Sequence, residues 1–343
     1  MKVLDCTLRD GGYINNWKFG DTVIDNIIRG ISLTNVDYME IGFIRNAEYS
    51  PDSAVFNRIS QAALLIPKPI RNELTFVVMA DFADLIPLEA IEPYQQGFPS
   101  MIRVLIWKQK RDQQGTVHDA LREGYDYCKG LIEKGYKVSL QPTRTNQYSE
   151  EEFLDFLHMF TQLDIFSIYV ADSWGNMTTD EVIHYMNMID CVAGKGISIG
   201  YHGHDNQMRA EKTVSRILET HFNHEIIIDA SIDGIGKGGG NLKLQSLCKL
   251  VHDKTGRNFD IGIMNRLSDK YIEKIYEQHA WGGEAFAITG KYNCNPYYAD
   301  YYLNEQKLSV CEIERIVLSL SDEDKIMFSR EKAFALMKKA LSE

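Results

Sequence analysis

Val3-Leu4-Asp5-Cys6-Thr7-Leu8-Arg9-Asp10-Gly11-Gly12 near the start of the chain pairs in its reading with Ile197-Ser198-Ile199-Gly200-Tyr201-His202-Gly203-His204 far downstream. Each stretch begins as a short apolar run typical of a buried strand and ends on residues that carry chemistry. Side chains alternate between the two faces of a strand, so His202 and His204, two apart, point the same way. Two neutral imidazoles and a carboxylate, with coordination positions left open, are a common way to hold a catalytic divalent metal. Arg9, beside Asp10, would then face an anionic oxygen brought to that metal.

Working outward, short β-rich runs alternate with helix-length amphipathic stretches, the pattern of βα units around a parallel sheet. Strands are expected at 3–7, 37–43, 74–80, 101–106, 136–141, 166–171, 196–202 and 225–230. Helices are expected at 20–34, 52–65, 118–134, 149–162, 178–193 and 206–221, with apolar residues at three- and four-residue spacing, as in Phe153, Phe156, Leu157 and Phe160. Eight such strands predict an α/β fold, a (β/α)8 barrel, with an open doubly wound sheet as its competitor. Active sites of such barrels lie at the C-terminal ends of the strands, where inward side chains of alternate strands share a layer. Arg9-Asp10 follows the first strand and His202/His204 close the seventh, so fold and ligand readings meet at the barrel mouth.

After residue 260 the character changes. Residues 264–279, 310–320 and 322–341 read as helices, and Ser321-Asp322-Glu323-Asp324 resembles an N-cap with an acidic first turn. The chain therefore divides into a barrel domain, 1–260, and a helical C-terminal extension, 261–343.

Composition narrows the function. With 48 acidic against 37 basic residues the net charge is −11, which argues against nucleic acid as a partner, because phosphate neutralisation needs clustered Lys and Arg. The compact basic run Lys108-Gln109-Lys110-Arg111 reads as a solvated loop. Six cysteines form no CxxC pair, no signal-peptide pattern opens the chain, and no apolar run approaches the roughly 20 residues of a membrane span. A cytoplasmic enzyme is expected. The remaining histidines, His118, His158, His184, His221, His224, His252 and His279, read as surface or packing residues without partners.

The motifs Leu4-Asp5-Cys6-Thr7-Leu8-Arg9-Asp10-Gly11-Gly12, Glu40-Ile41-Gly42-Phe43, Asp172-Ser173-Trp174-Gly175, His202-Gly203-His204 and the glycine loop ending in Asn241 resemble those of the DRE-TIM metallolyases. That superfamily includes 4-hydroxy-2-oxoacid aldolases, hydroxymethylglutaryl-CoA lyase and the isopropylmalate and homocitrate synthases. The resemblance implies Asp10, His202 and His204 as metal ligands, Asn241 as a further ligand in some members, and Arg9 as the stabiliser of an enolate oxygen. It places Glu40, Arg103, Asp172, Gly238 and Tyr297 with the substrate-binding residues. The implied cofactor is a divalent metal ion, Mn²⁺ ahead of Mg²⁺ because imidazole is a softer ligand than Mg²⁺ usually selects. The implied partners are a small-molecule 2-oxoacid with an aldehyde, sugar or acyl acceptor, without nucleic acid or membrane; a homodimer is the assembly left open.

The implied activity is making or cleaving a carbon–carbon bond through a metal-stabilised enolate of a pyruvate-type 2-oxoacid. A Claisen-type synthase or lyase using an acyl-CoA, and a non-catalytic barrel acting as a binding or assembly subunit, are the alternatives. The chain departs from the degradative aldolases in one respect: no histidine follows Arg9-Asp10, and Tyr13 stands where a base is expected. A tyrosine of ordinary pKa near 10 is a poor base, so Tyr13 is expected either to relay a proton with a lowered pKa or to shape the pocket. Gly234-Ile235-Gly236-Lys237-Gly238-Gly239-Gly240-Asn241 fits GxGxxG but follows the last strand, so substrate approach is favoured over a dinucleotide. The aromatic run Asn295-Pro296-Tyr297-Tyr298-Ala299-Asp300-Tyr301-Tyr302 reads either as a tyrosine reaching over the mouth or as aromatics pinning the tail to the barrel.

Overall fold

The structure, a computed structural model, describes residues 1–68, 73–81, 85–111 and 117–342; of residues 109–111 and 117–119 it describes the backbone alone. The side chains of Gln109, Lys110, Arg111 and His118 thus lie outside the described residues, while Lys108 is bound to the surface by Glu152 at 2.6 Å.

Eight strands, β1 (Lys2–Asp5), β2 (Tyr38–Ile44), β3 (Thr75–Asp81), β4 (Met101–Ile106), β5 (Lys137–Pro142), β6 (Ser167–Asp172), β7 (Ser198–Gly203) and β8 (Ile226–Ala230), run parallel. β1 pairs with β8 from Lys2↔Ile227 to Asp5↔Ala230 and with β2 at Leu4↔Tyr38 and Asp5↔Met39. That double pairing closes the barrel and excludes the open doubly wound sheet, whose edge strands stay unpaired. Both faces of every strand are covered, which is why runs such as Ile226-Ile227-Ile228 are continuously apolar. A two-residue strand, Val55–Phe56, adds alongside β2.

Helices α1 (Asp21–Ser32), α2 (Ile59–Leu64), α3 (Leu121–Glu133), α4 (Glu150–Phe160), α5 (Thr179–Val192), α6 (Ala210–Glu219) and α7 (Leu244–Thr255) follow the strands in turn; among the described residues between β3 and β4 the helical element is a single 3₁₀ turn, Leu88–Ala90. Each lays an apolar stripe on the barrel, Ile24, Ile27, Ile28 and Ile31 in α1. Ser149 with Glu152 and Thr178 with Glu181 form capping boxes that satisfy the free N–H groups starting α4 and α5.

The inward face of the barrel is layered by the strand pleat. Leu4, Tyr38, Val77, Met101, Tyr169 and Ile227 form an apolar plug at the bottom. Two residues further along the same strands come Glu40, Arg103 and Asp229, with His202 on β7, all buried. The site is built on this polar layer.

Several expected boundaries shift. The first strand ends at Asp5 rather than residue 7, because Thr7–Asp10 winds into a helical turn closed by the Asp10 N–H on the Cys6 carbonyl (2.8 Å). The helix expected at 52–65 shortens to α2. The one expected at 206–221 starts at Ala210, after a turn with left-handed Met208, where the Ala210 N–H donates to Asp205 Oδ1.

Beyond the barrel, helix Ile261–Leu267 runs through a π turn, Ser268–Ile272, into Glu273–Gln278. The helix expected at 322–341 splits into Asp322–Ile326 and Arg330–Ser342, and helices Glu284–Lys291 and Tyr297–Asp300 were not foreseen. Met264, Leu267, Ile272 and Trp281 join the barrel core, and a separate apolar cluster begins at Ala285. Tyr298 and Tyr302 pin that cluster internally, donating to the carbonyls of Asp324 and Ala333. Among the described residues no helix is long and apolar enough to cross a membrane.

Four histidines expected to lack partners have them: His184 meets Glu150, His224 meets Asp190, His279 meets Asp300, and His252 meets the Arg257 carbonyl. Acidic surface composition makes such pairings easy to form and hard to anticipate from spacing.

Candidate metal centre

Asp10 hangs from the helical turn after β1, His202 from β7, and His204 from the residue just past its end. All three are buried, and one ligand atom from each lies within 4.8 Å of the others. The two imidazole rings stand 5.1 Å apart and nearly perpendicular.

Each imidazole has its Nδ1 turned to a protein oxygen, for His202 by proximity without hydrogen-bond geometry, which leaves Nε2 for a ligand. His202 Nδ1 lies 3.0 Å from Asp229 Oδ2, and His204 Nδ1 lies 3.2 Å from the Gly240 carbonyl oxygen. Carboxylate or carbonyl partners of this kind fix ring orientation in metal sites. The protonation states suit the same purpose. Burial, opposed by Asp10, pushes His204 down to about 3, so its imidazole is neutral. Burial would raise the Asp10 carboxyl, but Arg9, His204 and His202 outweigh it and hold it well below the usual carboxylate range. An ionised carboxylate and a neutral imidazole are the ligand forms. The residues therefore fit a divalent cation.

Asn241 is brought to the site differently from the expected ligand. Its Nδ2 donates to Asp10 Oδ2 (2.8 Å) and to the Ile235 carbonyl (3.1 Å), so nitrogen rather than oxygen faces the carboxylate; its Oδ1 is buried without a partner. Two acceptors on one side dictate this orientation. Gly236 explains the close approach of the glycine loop, since a Cβ there would lie within 2.5 Å of Asp10 Oδ2. This is the physical use of the glycine-rich segment at that point.

Arg9 is buried beside Asp10, with Nε on Glu40 Oε2 (2.5 Å), Nη1 on Asp10 Oδ1 (2.5 Å) and Nη2 unpartnered. Glu40 in turn takes Arg103 Nη1 (2.9 Å), and Arg103 Nη2 reaches Asp229. Asp10, Arg9, Glu40, Arg103 and Asp229 thus form a chain of alternating charges beneath the mouth, with His202 beside its far end. Buried charges are tolerated only when paired in this way.

A small cavity of about 60 Å³ opens over the centre, lined by Arg9, Asp10, His202 and His204 together with Tyr13, Arg144 and Lys237. Several expected substrate-binding residues lie away from it. Glu40 and Arg103 are wholly buried under the site and occupied by each other. Asp172 accepts the N–H groups of Asn176 and Met177 and supports the loop after β6; burial pushes it up to about 7 against those hydrogen bonds. Gly238, at φ 62°, packs against Pro296. Tyr297 sits behind Lys237, whose Nζ is 4.9 Å from its ring centroid.

Tyr13 does line the cavity, yet burial, Tyr297 and Asp81 push its phenol well above its ordinary value. The lowering that a proton relay calls for is not found in this surrounding, and the group stays a neutral hydroxyl on the cavity wall. Lys237 and Arg144 were not among the expected site residues. Lys237 lay in the quoted glycine loop, one residue before Gly238; Arg144 had no motif to mark it.

A closed (β/α)8 barrel with a buried Asp-His-His centre and an arginine at the mouth defines a class of metal-site barrels. The chain belongs to the HMGL-like family, whose model matches residues 1–268. It is 23% identical over 258 residues to an oxaloacetate decarboxylase from Mycobacterium tuberculosis, covering 71% of this chain and 68% of that one. It is 34% identical over 92 residues to 4-hydroxy-2-oxovalerate aldolase 1 from Metapseudomonas furukawaii, 26% of either chain. Among solved structures it resembles the N-terminal domain of a candidate aldolase from Bacteroides vulgatus, with TM-score 0.69, 23% identity, and 90% of this chain and 98% of that one covered. The HMG-CoA lyase from Brucella melitensis gives TM-score 0.60 and 16% identity, over 80% of this chain and 98% of that one.

Proposed function

We propose that this protein is a divalent-metal-dependent lyase or aldolase that breaks or makes the carbon–carbon bond of a small 2-oxoacid through an enolate. The observation that carries the reading is the buried convergence of Asp10, His202 and His204 next to the unpartnered Nη2 of Arg9. Asp10, His202 and His204 would hold the cation, and Mn²⁺ suits their mixed imidazole–carboxylate set. When bound, such a cation supplies Lewis-acid polarisation of a carbonyl oxygen.

The chain's own groups do the rest. Breaking the bond next to the ketone leaves its electron pair in the substrate, so negative charge develops on the carbonyl oxygen. Arg9 Nη2 has no other buried partner and donates to that oxygen, a bond that strengthens as the charge grows. Glu40 holds Arg9 in place through Nε, and Arg103 holds Glu40, so the guanidinium need not reorganise during the reaction. The Tyr13 hydroxyl, neutral at the cavity wall, would pass its proton to the enolate carbon and take one back from solvent at the mouth, since burial disfavours the phenolate left behind. The small cavity favours a compact 2-oxoacid. The relatives named for oxaloacetate decarboxylation and 4-hydroxy-2-oxovalerate cleavage support the same substrate class.

Incubating the metal-loaded protein with pyruvate in D₂O tests the reading directly, because enolisation needs no acceptor. Methyl deuteration that depends on both metal and Arg9 is expected; no exchange with pyruvate or any small 2-oxoacid would overturn it.

A further inference from the structure

The walls of the cavity carry more positive charge than the mechanism uses. Its described charged side chains are Arg9, Arg144 and Lys237 against Asp10 alone, in a chain with a net charge of −11. Lys237 follows β8, next to β1, and its backbone N–H lies 3.3 Å from Asp10 Oδ2, so it belongs to the Arg9 side of the mouth. Arg144 follows β5. In an eight-stranded barrel β5 stands four strands from β1, directly across the mouth.

Arg144 is built for a ligand rather than for the fold. Its guanidinium carbon lies over the Trp174 ring, 3.4 Å from the centroid, and the group makes no hydrogen bond or ion pair with any described residue. Stacking fixes the plane and leaves the edge of the fork free, the geometry that grips a carboxylate with two parallel hydrogen bonds. The backbone at Arg144 is left-handed, φ 51°, a conformation that a non-glycine residue adopts only when its surroundings hold it there; here the Arg144 N–H donates to Ser173 Oγ (3.0 Å). Burial without a compensating carboxylate lowers the guanidinium to about 10. A cation kept half-buried, stacked and unpaired is an unfilled half of an ion pair.

We infer that Arg144 is a specificity-determining residue that binds a second carboxylate at the far end of the substrate, so that the preferred substrate is a short 2-oxodicarboxylate. The inference rests on the 2-oxoacid reading above and extends it. The 2-oxo end lies over Asp10, His202 and His204 with Arg9 and Lys237 beside it, and the distal carboxylate meets Arg144 across the mouth. The small cavity limits the chain between the two ends to a few carbons.

The test is calorimetric titration of the Mn²⁺-loaded protein with pyruvate, 2-oxobutanedioate, 2-oxopentanedioate and 3-phosphonopyruvate, in wild type, Arg144→Gln and Arg144→Lys. A charge-assisted hydrogen-bonded pair predicts that wild type prefers a dicarboxylate over pyruvate by about 10–100-fold. Arg144→Gln should remove that preference while pyruvate affinity stays within about 2-fold, and Arg144→Lys should restore part of it. Equal wild-type affinity for mono- and dicarboxylates, or an equal loss for both in Arg144→Gln, overturns the inference and leaves the 2-oxoacid reading standing. Tighter binding of 3-phosphonopyruvate than of either dicarboxylate overturns the carboxylate assignment. Failure of all four ligands overturns both inference and reading.

Discussion

His202 Nδ1 sits 3.0 Å from Asp229 Oδ2, and the same carboxylate oxygen receives Nη2 of Arg103. One buried acid thus sits against the Nδ1 of a candidate metal ligand, fixing its orientation by close contact rather than by a hydrogen bond, and anchors the arginine that braces Glu40. Asp229→Asn should weaken Mn²⁺ binding about 10–100-fold by losing this orientation, with the barrel's far-ultraviolet circular dichroism retained. Calorimetric Mn²⁺ affinity equal to wild type would show that Asp229 serves the fold alone.

Metal removal is the second prediction. Exhaustive chelation should abolish pyruvate deuterium exchange, and Mn²⁺ should restore it more fully than Mg²⁺, since two of the three donors are imidazoles. Full activity in a preparation shown metal-free by elemental analysis would sink the metal-dependent mechanism.

Arg9→Lys should lower turnover about 10²–10³-fold, because a point charge cannot reach Glu40, Asp10 and the substrate oxygen from one planar fork. Arg9→Ala should lose at least as much activity, while Arg103 still neutralises Glu40 and the fold persists. Near-wild-type kcat in the lysine variant would make Arg9 structural.

Tyr13→Phe should slow exchange about 10²-fold or more while Mn²⁺ affinity stays unchanged, if the hydroxyl delivers the proton. Unaltered exchange in this variant removes Tyr13 from proton transfer and leaves it a wall residue packed on Trp17.

Asp5 gives a pH prediction. Burial pushes its carboxyl up to about 7, against hydrogen bonds from Thr7, and Glu40 and Asp229 add to the rise; its Oδ2 has no partner. A carboxyl raised in the folded state contributes stability fully present below its unfolded value near 3.8 and lost as pH rises through about 7. Asp5→Asn, neutral at every pH, should therefore raise stability at pH 8 by on the order of 1–4 kcal/mol, read as a higher melting temperature, and have little effect at pH 4. Equal melting shifts at both values would show that ionisation of Asp5 is not the cause.

Much of this was legible in the sequence. All eight barrel strands were placed within three residues at each end, because strands covered on both faces must be apolar throughout and stand out as short runs between amphipathic helices. Asp10, His202 and His204 were legible because strand alternation and the position of barrel sites at strand ends act over a few residues. The helical stretch from Glu284 to Glu305 was missed, since its face packs on other C-terminal helices and its periodicity is broken by a π turn.

What the sequence determined by itself was what local periodicity and spacing can encode: the alternation of elements, the barrel, and a carboxylate and two imidazoles at its mouth. Tertiary structure alone decided the partners. Glu40 and Arg103 became supports beneath the site rather than substrate contacts, Asn241 turned its nitrogen to Asp10, and Tyr13 kept its proton. Arg144 was set across the mouth from Arg9. The reason is physical: charge pairing, burial and orientation depend on neighbours distant in sequence, and only barrel closure brings those neighbours within reach.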